Sequence, residues 1–84
     1  MNQTEPFHVI REGVIFEFQP EPEGGYTVTV PSLPGCVSYG ETFEDAFQMI
    51  QDAISGWLAV ASEEGVPIPP QFVDWSVATP QKKP

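Results

Sequence analysis

Positive charge is almost absent from this chain. Arg11, Lys82 and Lys83 are its only cations, set against twelve acids for a net charge of −9. No Lys or Arg lies between Glu12 and Gln81, the stretch that holds eleven of the twelve acids. Nucleic-acid surfaces need clustered cations to neutralise phosphates, so direct DNA or RNA binding is not expected. Anionic membranes are disfavoured for the same reason, and a basic protein partner is favoured by complementary potential. Cysteine occurs once, at Cys36, which excludes an internal disulfide and any multi-cysteine zinc site. No apolar run approaches the roughly 20 residues that cross a bilayer. The start, Met1-Asn2-Gln3-Thr4-Glu5, is neither basic nor apolar, so no secretory signal is expected and the chain reads as cytoplasmic. Its 84 residues suffice for a single domain, 1–84, and are too few for a doubly wound nucleotide fold or an α/β barrel.

What is present is ordered patterning. Residues 8–19 are rich in strand formers, with Val14, Phe16 and Phe18 alternating with Ile15, Glu17 and Gln19. Gly13 interrupts this run and predicts a bulge or bend. Pro20-Glu-Pro-Glu-Gly-Gly25 reads as a turn, and Tyr26–Val30 alternates again as the second arm of an antiparallel hairpin. After the Pro31–Gly35 turn, Cys36–Gly40 forms a short third strand. Thr42-Phe-Glu-Asp45 resembles a capping box at a helix start, and Gly65 with Pro67 marks its end. Phe43, Ala46, Phe47, Ile50, Ile54, Trp57, Leu58 and Ala61 fall on one stripe of that helix. A fourth strand is expected over 72–77, beside the first and parallel to it, with 78–84 as a frayed tail. The predicted fold is α+β: β-β-β-α-β, a mainly antiparallel sheet with one long helix packed on one face.

Chemistry-bearing residues are sparse. His8 and Cys36 are the only members of their types, and nothing in their spacing pairs them as base and nucleophile. Cys36 reads as a small buried residue and His8 as a solvent-facing strand residue. For a magnesium site the candidate carboxylates are Glu12 or Glu17 with Glu44 or Asp45, yet no compact Asp/Glu motif appears. Gly24-Gly25 lacks the helix and Lys that follow a phosphate loop. No cofactor, metal ion or catalytic residue is therefore expected, and the chain reads as a non-enzyme.

The joined string from Tyr26 through Val30-Pro-Ser-Leu-Pro-Gly-Cys36, Tyr39-Gly-Glu-Thr-Phe-Glu-Asp-Ala46 and Ile50-Gln-Asp-Ala-Ile54 to Trp57-Leu58 is more distinctive. It resembles the HicB antitoxin family, whose fold is described as partial RNase H-like. The likeness is densest over residues 26–58. The family turn often has Asp before Leu-Pro-Gly, where Ser32 stands here. Longer family members carry a C-terminal DNA-binding domain, which is not expected here, and an RNase H likeness of fold carries no nuclease carboxylates onto this chain. The resemblance implies an antitoxin that binds and masks a small basic HicA-type, RNA-cleaving toxin. Candidate contacts are Glu17, Glu21, Glu23 and Glu41. The competing readings are a stand-alone structural or ligand-binding oligomer and a metal-dependent nuclease.

A second apolar flank of the helix, Met49, Ala53, Gly56 and Val60, widens its apolar arc beyond what one sheet face covers. Mid-helix Gly56 costs about 1 kcal/mol relative to Ala unless another backbone approaches it. With Ile15 on the far sheet face, these residues predict a homodimer or larger homo-oligomer.

Overall fold

The computed structural model describes residues 4–73 and 75. Four strands come first: β1 (Phe7–Arg11), β2 (Val14–Pro20), β3 (Tyr26–Thr29) and β4 (Val37–Gly40). A helix, α1 (Phe43–Glu64), and a single 3-10 turn, Pro70–Phe72, follow. The strands pair antiparallel in the order β1-β2-β3-β4. This is the expected α+β class: an antiparallel sheet with one long helix on one face.

Two elements differ from expectation. The run 8–19 is a hairpin of two strands rather than one bent strand. Arg11 pairs with Val14, so Glu12 and Gly13 form a two-residue connection, and both have positive φ, 54° and 81°. That is the backbone of a type I′ turn, which matches strand twist. Glu rarely occupies the left-handed region, so the pair does not read as a hairpin turn in sequence. The fourth strand is thereby supplied before the helix. The strand expected over 72–77 is not formed by its described part: Phe72 closes the 3-10 turn and Trp75 packs on it at a ring separation of 5.8 Å. Its positions 74, 76 and 77, like the expected tail 78–84, lie outside the described residues. The order is therefore ββββα, with no parallel crossover among the described residues.

Alternation builds the core. Val14, Phe16 and Phe18 of β2 and Val28 of β3 are fully buried on the face toward α1. From the helix, Ala46, Ile50, Ile54, Leu58 and Ala61 are buried, as the 3.6-residue stripe predicted, with Phe43, Phe47 and Trp57 half-buried beside them. Phe43 lies 4.7 Å from Phe18 and Phe47 lies 5.0 Å from Phe16, ring to ring, in the range where aromatic pairs add about 0.5–1.5 kcal/mol beyond burial. Leu33, from the turn between β3 and β4, and Phe72 close the core from outside the sheet.

The helix ends are built locally. Thr42 Oγ1 accepts from the Asp45 N–H at 3.0 Å, and Glu44 and Asp45 sit in the first turn, where the macrodipole favours acids. At the other end Val66 N–H reaches Ala61 O at 2.8 Å across Gly65, closing a Schellman-type cap. Gly40 is buried where the first turn of α1 crosses β4, and Ser38 Oγ donates to Met49 O at 3.2 Å, tying the strand to the helix.

Candidate partner-binding surface

The four acids singled out in the sequence sit in two places. Pro20 pairs with Tyr26 and Tyr26 with Gly40, so the β2–β3 turn with Glu21 and Glu23 lies at the same end of the sheet as Glu41. Glu44 and Asp45 of the first helical turn join them there. Glu23 and Glu41 are exposed. Glu21 is half-buried and accepts from Thr27 Oγ1 at 2.8 Å. The Tyr39 hydroxyl donates to Gly24 O at 3.0 Å, pinning the turn against β4. Glu17 stands apart, mid-sheet on the face away from the helix, in register between His8 and Thr29. This end of the molecule is an acidic rim built on a pinned turn and a capped helix.

Next to the rim, a shallow depression of about 340 Å³ is lined by Tyr39, Gly40, Glu41, Asp45, Gln48 and Met49. Farther along α1 lies a more apolar groove of about 560 Å³, with Ala53, Gly56, Trp57, Val60 and Val66 among its walls. The structure thus brings Ala53, Gly56 and Val60 together as expected, with Met49 exposed on the same flank. A Cβ at Gly56 would meet nothing within 4 Å. Ile15 does not join them. It lies on the open sheet face, beside Ile10 in register, in the opposite layer. Trp57, on the predicted stripe, packs against the core and also forms a groove wall, with its indole N–H on Pro34 O at 2.9 Å. A residue at the border of an apolar stripe can face either way, and nothing in the stripe shows which. Val66, beyond the helix, carries no periodic signal at all.

The candidate metal carboxylates are separated by the fold. Glu17 projects from the sheet face opposite α1, where Glu44 and Asp45 begin the helix, and Glu12 sits in the turn at the other end. Among the described residues no group of three or more His, Cys, Asp or Glu is placed to hold a metal ion. Cys36 is buried against Leu33 and its neighbours, and burial pushes its thiol pKa up, away from nucleophilic use. Among the described residues no helix is long and apolar enough to cross a membrane. Arg11, the cation of β1, lies over the Phe47 ring at 5.5 Å.

From the start of β2 through residue 83, the chain matches the family described as "HicB_like antitoxin of bacterial toxin-antitoxin system". The chain belongs to the HicB-like antitoxin family. Similar proteins include a UPF0150 protein of Synechocystis sp., 43% identical over 49 residues, which are 58% of this chain and 62% of the relative. A UPF0150 protein of Helicobacter pylori is 47% identical over 36 residues, 43% of this chain and 50% of the relative. One of Thermoplasma acidophilum is 36% identical over 47 residues, 56% of this chain and 68% of the relative. The chain thus spans between half and two thirds of the first two relatives' lengths. No solved structure matches it, so the RNase H-like part of the HicB-like fold description rests on the resemblance alone. The family turn, Leu33-Pro34-Gly35-Cys36, has a clear structural use in this HicB-like chain. Leu33 is fully buried, Cys36 N–H bonds Leu33 O at 3.0 Å, and Leu33 N–H bonds Val30 O at 2.9 Å.

Proposed function

We propose that this protein is the antitoxin half of a toxin–antitoxin pair. In the cytoplasm it binds a small basic HicA-type, RNA-cleaving toxin and covers that toxin's RNA-binding or catalytic face with its acidic rim. The observation that carries this reading is the rim itself, Glu21, Glu23 and Glu41 beside Glu44 and Asp45, on a HicB-like chain of net charge −9. Long-range attraction of this kind acts mostly on association rate and is screened by salt. The protein acts by binding rather than by catalysis, so no RNA cleavage is expected from it with magnesium or manganese. The test is a search beside its gene for one encoding a short Lys/Arg-rich protein, and co-expression with that protein. Relief of growth arrest, and a complex whose association slows as salt rises, supports the reading. Arrest that persists with no complex on gel filtration refutes it and leaves a stand-alone structural or ligand-binding oligomer of the same fold.

The helix flank favours self-association as part of this reading. Met49 and Val60 are each about half exposed, 49% and 53%, and Gly56 between them is open to a second backbone. The expected state is a homodimer or larger homo-oligomer. Light scattering then shows at least twice the 9.3 kDa chain mass, and Gly56→Leu shifts it toward monomer. A mass unchanged by that variant moves the contact to Ile15 and the open sheet face.

A further inference from the structure

We propose that the free edge of β4 takes an extended Lys/Arg-bearing segment of the protein partner as an added strand, with one of its cations seated in the depression beside Glu41 and Asp45. This rests on the reading above that the partner is a basic protein.

Register makes the edge available. Val30 N–H bonds Cys36 O at 3.2 Å. In an antiparallel ladder, hydrogen-bonded and non-bonded pairs alternate. Val28–Ser38 and Tyr26–Gly40 are then the bonded pairs, while Thr29–Val37 and Thr27–Tyr39 are the non-bonded ones. The N–H and C=O groups of Val37 and Tyr39 therefore point away from β3. β4 is the last strand of the sheet among the described residues, so these groups form an open row. The Ser38 bond to Met49 O and the Tyr39 bond to Gly24 O hold that row rigid, which lowers the ordering cost of adding a strand.

The two sheet edges are treated differently. Natural edges are guarded by cations, prolines or bulges. β1 is entered from Pro6 and carries His8 and Arg11. β4 reads Val-Ser-Tyr-Gly with none of these, and its Val37 and Tyr39 are 52% and 48% exposed. Charge decides the occupant. The open edge runs directly into Glu41, with Asp45 one helical turn on. Tyr39 and Met49 offer apolar walls for an aliphatic stem, and the carboxylates lie where its head would end. A second copy would pair antiparallel along β4 and set its Cys36 and Val37, not a cation, beside Glu41, so it leaves these carboxylates without a counter-charge that a Lys/Arg-bearing segment supplies.

The test uses a short capped peptide of alternating Lys and Val, followed by amide nuclear magnetic resonance of the full chain. Expected are the largest shifts, and slowed hydrogen exchange, at the Val37 and Tyr39 amides. A matched peptide of alternating Glu and Val should not bind. Val37→Pro removes one outward donor without touching the β3–β4 bonds, a position where edge proline is tolerated, and should weaken binding about tenfold, the equivalent of about one net hydrogen bond. Shifts confined to the α1 flank or the open sheet face, equal binding of the acidic peptide, no binding at millimolar peptide, or unchanged affinity of folded Val37→Pro each overturns the proposal. Should Val37→Pro fail to fold, Glu41→Gln with Asp45→Asn replaces it, and unchanged peptide affinity in that variant is equally fatal. Growth rescue separates this proposal from the antitoxin reading. Equal rescue by Val37→Pro and the parent chain removes the edge and keeps the antitoxin. Peptide binding at the edge without any rescue by the parent chain keeps the edge and removes the antitoxin.

Discussion

Adding one methyl group at Gly40 should be among the most damaging small changes this protein can undergo. A Cβ built there would stand 2.6 Å from the carbonyl carbon of Asp45 and 2.5 Å from Ala46 Cα, whereas relaxed carbon contacts lie near 3.5–4.0 Å, so the first turn of α1 must retreat by about 1 Å. The obstacle is helix backbone, so no rotamer change relieves it. Retreat also lifts Ala46 and Ile50, both fully buried, from the sheet. Overpacking costs about 1–3 kcal/mol where side chains can yield, occasionally more, and a rigid backbone puts Gly40→Ala at the upper end, about 3 kcal/mol. For a domain of this size that lowers Tm by about 12–24 °C. Gly56→Ala is the matched control. The same methyl meets nothing within 4 Å in its own chain, and mid-helix Ala is favoured over Gly by about 1 kcal/mol, so at concentrations where the chain is monomeric Tm should rise by about 4–8 °C. Thermal unfolding followed by circular dichroism, with urea titration as a cross-check, reads both. A loss below about 1 kcal/mol for Gly40→Ala, or the same sign for the two variants in the monomer, would refute the close-approach argument.

Three further outcomes are expected. Phe72→Ala should cost about 3–5 kcal/mol by urea unfolding, because Phe72 is buried in the main core; a small effect would make the 3-10 turn peripheral. Thr42→Ala should cost about 1 kcal/mol through loss of the Thr42 Oγ1 bond to the Asp45 N–H, whereas Thr42→Ser should be nearly silent. Cys36, with its thiol pKa raised by burial, holds little thiolate at neutral pH and should react with a disulfide reagent only slowly. Its rate should climb steadily with pH above neutrality and jump on unfolding, and a fast native-state reaction at pH 7 contradicts the burial assigned to it.

Sequence by itself determined the parts of this protein that depend on near neighbours. The helix limits Phe43–Glu64 follow from Thr42, Gly65 and a 3.6-residue stripe, because caps and amphipathicity are read within a few turns. The β2–β3 hairpin follows from strict alternation around a Pro/Gly turn. The strong acid excess was legible as composition, and the turn and helix-start residues carried the family resemblance. Tertiary structure decided the rest. Glu12-Gly13 becomes a hairpin turn because β1 pairs back on β2; the turn needs a Glu at positive φ, a conformation that local propensity disfavours and long-range pairing stabilises. Phe72-Val73-Asp74-Trp75 has strand composition, yet Phe72 fills the core from a 3-10 turn because the sheet already has its fourth strand at β1. Gly40 reads as a strand-ending glycine, and only the crossing of α1 shows that it is the point of closest approach. The same holds for the surface. Glu21, Glu23 and Glu41 meet at one end through the pairing of Tyr26 with Gly40, while Ile15 is carried to the layer opposite the helix flank. Which residues share a face beyond one element is set by register and crossing geometry, and those depend on contacts between residues far apart in the chain.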